Sequence, residues 1–197
     1  SDDERLALRS AHPVWVIRAL RRALAAEGRA DELDDLLDAD NASPEVTLVA
    51  LPGLADPGEP RRPYAPTAFG SPGGDPHRVI AATGGTVRVQ DEGSQLVALA
   101  LAAAAPITSG ERWLDLCAGP GGKTALLAAI AREHDVTLEA NEVIPTRARL
   151  VRNALRAVPG EVVVHEEDGR SFGASHPGAF DRILVDAPCT GCLLYTS

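Results

Sequence analysis

Apolar residues recur at Val14, Ile17, Leu20 and Leu24. That spacing predicts a helix over residues 13–27, with Pro13 in its first turn and Gly28 at its stop. Ala30–Ala39 reads as a short acidic helix, and Glu45–Leu51 has the apolar character of a strand. The pattern then breaks. Pro52–Pro76 holds seven prolines and five glycines in 25 residues. Such a stretch sustains neither a helix nor a central strand, so a loop is expected.

From Thr86 the pattern turns regular. Thr86–Gln90 reads as a strand and Ser94–Ala105 as a helix. Strand Arg112–Cys117, helix Lys123–Glu133, strand Val136–Ala140, helix Pro145–Val158 and strands Glu161–His165 and Asp181–Val185 follow. Between the last two, the Gly/Ser/Pro-rich Phe172–Ala179 is expected to be a loop. Alternating strands and helices predict right-handed βαβ units and a parallel sheet. The expected fold class is therefore α/β, with a Rossmann-like domain over 86–191. A small α+β subdomain over 1–85 precedes it, containing the 52–76 loop, and an atypical tail over 192–197 follows.

Composition adds limits. Hydrophobic residues make up 45% and aromatic ones 4%, so the core must be aliphatic. The alanine-rich Leu96–Ile107 is too short to span a membrane. The charged amino terminus does not resemble a signal peptide. Three cysteines without framework spacing suggest reduced thiols in a cytoplasmic protein, and no Cys/His spacing suggests a metal. The net charge of −9 argues mildly against nucleic acid. Arg147, Arg149, Arg152 and Arg156 share one helix, as a solvated face or as phosphate contacts. His12 and His165 lack a partner pattern and read as structural. A monomer is expected.

The chemistry concentrates in Trp113–Thr124, which runs Trp-Leu-Asp-Leu-Cys-Ala-Gly-Pro-Gly-Gly-Lys-Thr. A strand, a glycine turn and a helix form the usual cradle for a nucleotide-like ligand, because glycine lets the backbone approach and a new helix offers free N–H groups. Lys123 is the chain's only lysine. A Walker A loop would need glycine where Cys117 stands, and the dinucleotide pattern finds Thr124 in place of its third glycine. Glu142, after the next strand, suits ribose hydroxyls, which fits NAD, adenosine and S-adenosylmethionine alike. Asp186 and Cys189 stand at the carboxyl end of the last strand, where open α/β sheets bind substrate.

These pieces together resemble the RsmB/Sun (NOL/NOP2/Sun) family of RNA 5-methylcytosine methyltransferases. They are Val89-Gln90-Asp91-Glu92-Gly93-Ser94-Gln95-Leu96-Val97, Leu114–Thr124, Glu142, Asp168-Gly169-Arg170 and Asp186-Ala187-Pro188-Cys189-Thr190-Gly191, with Ser10-Ala11-His12-Pro13 and Trp15 upstream. The resemblance implies a class I methyltransferase sheet and S-adenosyl-L-methionine as cofactor. It places Cys117, Ala118, Gly119, Pro120, Gly121, Gly122 and Lys123 against the cofactor, Glu142 on its ribose, Asp168 by its adenine, and Asp186 at both cofactor and base. It also implies covalent catalysis: a thiolate adds to cytosine C6, C5 takes the methyl group, and a base removes the C5 proton. Asp186 would protonate or hydrogen-bond cytosine N3, and Cys189 would assist release of the adduct.

The attacking thiolate of the family lies in a later Thr-Cys-Ser-type motif, which this chain does not contain. The chain has no methionine, and Cys192–Ser197 departs from the family. A catalytically inactive piece of a longer protein is therefore expected. The implied partner is RNA, most simply small-subunit ribosomal RNA. Transfer RNA, or a non-catalytic assembly role that keeps the fold, stays open.

Overall fold

The computed structural model describes residues 1–41, 45–71, 73 and 75–187. Contacts divide the described residues into two compact units, one before and one after the 44/45 boundary. The division at 44/45 falls inside the expected 1–85 subdomain, because Val49 and Leu51 join the same core as Trp113.

In the first unit, α1 (Asp2–Ser10), α2 (Val14–Ala26) and α3 (Leu33–Asn41) enclose Ala7, Ile17, Leu24, Leu33 and Leu37. A 3-10 turn over Ala30–Glu32 begins the acidic segment. Ser1 and Glu4 form a reciprocal capping box at the start of α1. His12 bonds both ways, through Nδ1 to the Ser10 carbonyl at 2.6 Å and through Nε2 to Asp40 at 2.8 Å.

The second unit holds two sheets. Strands β1 (Thr47–Ala50), β2 (Ala68–Gly70) and β3 (Val87–Val89) form an antiparallel sheet in the order β2-β1-β3. Strands β4 (Arg112–Asp115), β5 (Thr137–Asn141), β6 (Val163–His165) and β7 (Arg182–Leu184) form a parallel sheet in the order β6-β5-β4-β7. Its chain order reverses at β4, which makes the carboxyl ends of β4 and β7 the switch point where such sheets take ligands. Helices α4 (Pro76–Ala82), α5 (Glu92–Ala103), α6 (Gly122–Glu133), α7 (Pro145–Leu155) and α8 (Gly169–Ser175) complete the unit. Every residue of α6 from Thr124 to Ala131 is buried, which explains its run of alanine and leucine: there is no solvent face to make polar.

Three segments differ from expectation. The proline-rich stretch contributes β2, an edge strand whose neighbour Pro60 needs only its carbonyl, accepting from Gly70 N–H at 2.7 Å. Asp75 caps α4 with Pro76 in its first turn, a start signal at the end of the assumed loop. Residues 169–175 are helical rather than part of a loop. Asp168 caps α8, and Phe172, only 1% exposed, stacks on His176 at 4.2 Å, which outweighs weak local propensity.

One buried arginine ties the sheet to α5. Arg182 donates to the carbonyls of Leu101, Ala102, Ala105 and Pro106 at 2.9–3.2 Å and grips both oxygens of Glu111 at 2.8 and 3.1 Å. It thus satisfies the open carbonyl end of α5. The Arg182 bonds, then those from Trp113 and Thr108, hold the Glu111 carboxyl down from 4.5 to about 2. Arg182→Met is expected to cost about 2–4 kcal/mol by baring these carbonyls, read as a lower urea midpoint. Because the folded value is depressed, Glu111 contributes stability above pH 4.5 that is lost as pH falls towards 2. That acid limb is expected to flatten in the variant; an unchanged limb would assign it to other carboxylates.

Candidate functional site

The site forms where β4 stops at Asp115 and the chain turns into α6. Leu116 N–H donates to the Leu184 carbonyl, Ala118 N–H to the Asn141 carbonyl and Gly121 N–H to the Ala118 carbonyl, at 2.9–3.0 Å. These bonds fold the Cys117–Gly121 turn back over the ends of β5 and β7. Asn141 extends the tie: its Nδ2 donates to the carbonyls of Leu116 and Glu167, and its Oδ1 accepts from Glu167 N–H.

A cavity of about 530 Å3 opens above this turn. Cys117, Ala118, Gly119, Pro120, Gly122 and Lys123 line one side. Glu142 and Asp186 also line it. Glu142 is 6% exposed; Oε2 accepts from Gly119 N–H at 3.0 Å and Oε1 from Ile144 N–H at 2.9 Å. Each oxygen keeps a lone pair for a ligand hydroxyl. Lys123 Nζ lies 2.6 Å from Asp186 Oδ2.

Two expected site residues do not line the cavity. Gly121 has φ +93°, and a Cβ there would come within 2.7 Å of Val151 Cα and 2.9 Å of Ala154 Cβ. Its missing side chain therefore admits α7. Asp168 bonds to Arg170 N–H at 3.0 Å and pairs with its guanidinium at 2.6 Å; Arg170 holds its carboxyl down at about 2. The neighbouring Gly169 lines the cavity instead. Cys189 lies outside the described residues.

Sequence reasoning gave no site role to Gln90, Ser94, Asn141 or Arg147, all of which line the cavity. Gln90 and Ser94 stood inside the quoted Gln-Asp-Glu-Gly-Ser run, and Asn141 directly precedes Glu142. Arg147 was read only as one of four helical arginines; Arg152 of that set pairs with Glu166 at 2.8 Å.

Asp115 is 1% exposed and accepts from Thr124 Oγ1 at 2.7 Å, while Oδ1 has no partner among the described residues. Burial pushes its carboxyl up to about 6, against the Thr124 bond and the charge of Lys123. Burial likewise pushes the Cys117 thiol up, helped by Asp115, Glu142 and Asp186. That environment suits packing rather than nucleophilic attack.

The family described as 16S rRNA methyltransferase RsmB/F matches residues 102–196. Rv1407 of Mycobacterium tuberculosis, provisionally named a methyltransferase, is 46% identical over 188 residues, 92% of this chain and 40% of that protein. Ribosomal RNA small subunit methyltransferase B of Salmonella paratyphi C is 30% identical over 194 residues, 91% of this chain and 42% of its own. The crystal structure of PH0851 aligns with a TM-score of 0.78 at 23% identity, over 96% of this chain and 44% of that one, and supports the Rossmann-like methyltransferase fold. The fold is thus that of a class I methyltransferase domain. The chain belongs to the RsmB/Sun (NOL/NOP2/Sun) family. It spans about two fifths of the length of these curated relatives.

Two outcomes follow from the packing. Gly121→Val forces a β-branched side chain into α7 at a positive φ, so a loss of about 2–4 kcal/mol in unfolding free energy is expected. Unchanged stability would show that α7 yields. Asp115, raised from 3.8 to about 6, favours the folded state below pH 3.8 and loses that contribution as pH rises through 6. Asp115→Asn is therefore expected to gain about 1–3 kcal/mol near pH ~7.5 and little near pH ~4. Urea unfolding at both pH values checks this; equal differences at the two would refute it.

Proposed function

We propose that the chain carries the cofactor-binding part of an S-adenosylmethionine-dependent RNA (cytosine-C5) methyltransferase of the cytoplasm, acting on small-subunit ribosomal RNA. The supporting observation is the convergence, in one cavity at the switch point, of the glycine turn, the Glu142 carboxylate and the Lys123–Asp186 pair. Membership of the family supports the same chemistry, as does the printed name of the Salmonella relative.

When bound, the cofactor supplies an electrophilic methyl group on a sulfonium. Glu142 accepts hydrogen bonds from the ribose hydroxyls through the lone pairs that Gly119 and Ile144 leave open. Gly119 and Gly122 keep the turn low enough for close approach, and Lys123 with the first N–H groups of α6 favours an anionic end. Asp186, released from Lys123 and protonated, hydrogen-bonds or protonates cytosine N3, which activates C6 towards thiolate addition. Cys189 assists release of the adduct, a role carried by the family resemblance alone. The cavity offers no phosphate-spanning glycine loop of the ATP type, so nucleoside triphosphates are disfavoured.

Calorimetry tests the cofactor. The chain is expected to bind S-adenosylhomocysteine and not ATP or NAD, and Glu142→Ala is expected to weaken binding by about 1–3 kcal/mol. Equal affinity for NAD, or no effect of Glu142→Ala, would sink the assignment. In the whole protein, radiolabelled methyl transfer to ribosomal RNA rather than transfer RNA decides the substrate.

A further inference from the structure

The wall of the cavity formed by the end of β3 carries a side chain that neither the fold nor the steps above employ. Gln90 is 7% exposed and lines the cavity. Its backbone is fixed, since its N–H donates to the Thr47 carbonyl at 3.1 Å and its carbonyl accepts from Gln95 Nε2 at 2.9 Å. Its side-chain amide is not. Nε2 reaches only Ser94 Oγ, at 3.5 Å, and Oε1 is buried without a partner. Across from it stands Gly122, where a Cβ would lie 3.6 Å from Gln90 Cδ, so glycine keeps a side chain from packing on the amide.

A buried amide with a bare carbonyl is costly unless a ligand brings the missing donor. The adjoining groups limit what that donor belongs to. Lys123 is paired with Asp186, so it is the amino end of α6, a 12-residue helix, that favours an anion beside Gln90. An anion next to a hydrogen-bond donor that seeks an acceptor describes the two ends of an α-amino acid. The nucleoside end has its own partner in Glu142. Turning the amide end for end would move the bare end from oxygen to nitrogen without filling it, because Ser94 reaches only one end.

Resting on the cofactor assignment above, we propose that Gln90 Oε1 accepts a hydrogen bond from the α-ammonium of the cofactor's amino-acid end. Gln90 is then the residue by which the site distinguishes a nucleoside bearing an amino acid from one without it.

Calorimetry on the 197-residue chain with two ligands tests this: S-adenosylhomocysteine, and 5′-methylthioadenosine, a nucleoside thioether that lacks the amino-acid end. Gln90→Leu is expected to weaken S-adenosylhomocysteine about 10- to 100-fold, the worth of a hydrogen bond to a charged group. Binding of 5′-methylthioadenosine is expected to change by less than about twofold. Gln90→Glu keeps an acceptor in place and is expected to retain S-adenosylhomocysteine. Should Gln90→Leu fail to fold in a thermal melt, Gln90→Asn, which withdraws the amide by one methylene, reads the same selectivity.

Equal loss of both ligands, or no loss of either, overturns the proposal. So does a Gln90→Glu protein as weak as Gln90→Leu, which would place the ligand's carboxylate at this position. Failure of the unsubstituted chain to bind either ligand would instead overturn the cofactor assignment itself, and this inference with it.

Discussion

A single carboxamide spans the mouth of the parallel sheet. Asn141 is 1% exposed, and its side chain holds the backbone after β4 and after β6 while its own carbonyl anchors Ala118. Three loops that carry the site are thereby fixed to one another rather than each to the sheet alone. A carboxylate at this position would accept from Glu167 N–H but repel the carbonyls of Leu116 and Glu167, so the amide's mixed donor and acceptor character is what the geometry requires. Glu142 inherits its position from this tie, and the glycine turn closes on Glu142 through Gly119 N–H.

The most recognisable run of the sequence, Gln90 to Gln95, is largely a brace. Asp91 caps α5 through Ser94 N–H, Glu92 accepts from the N–H groups of Tyr64 and Ala65, and the buried Gln95 links the Leu48 and Gln90 carbonyls and receives Thr67 Oγ1. One turn of helix thus holds the antiparallel sheet and the proline-rich segment together. Only Gln90, Asp91 and Ser94 of that run also reach the cavity. Adjacent residues of the run thus meet two demands, bracing the architecture and lining the cavity.

Most strands and helices from Thr86 onward were legible from their apolar runs alternating with turn residues, α6 as a continuous buried run rather than one face, and the glycine turn from its spacing. What stayed hidden depended on side-chain contacts that apolar periodicity does not report, some local and some remote in sequence. Phe172 makes α8 helical only because it finds the rings of His165 and His176. Gly121 was expected against the cofactor with the rest of its turn; its packing partner, α7, lies some thirty positions on, at Val151 and Ala154. Arg182 is an ordinary strand residue until the carbonyl end of α5 is placed beside it. Asp168 caps α8 beside the cavity-lining Gly169, and its carboxylate is paired with Arg170.

The burial of α6 on every side has a consequence for the ligand's thermodynamics. A helix exposed on one face can tilt or fray when its amino end is loaded. One with eight consecutive buried residues has no such freedom. The amino end of α6, at Gly122 and Lys123 on the cavity wall, is consequently held in place by folding, and a ligand that meets it need not order the helix. Association at this end of the cavity is then close to the docking of a rigid body on a rigid socket, and whatever adaptation the protein makes must come from the opposite wall.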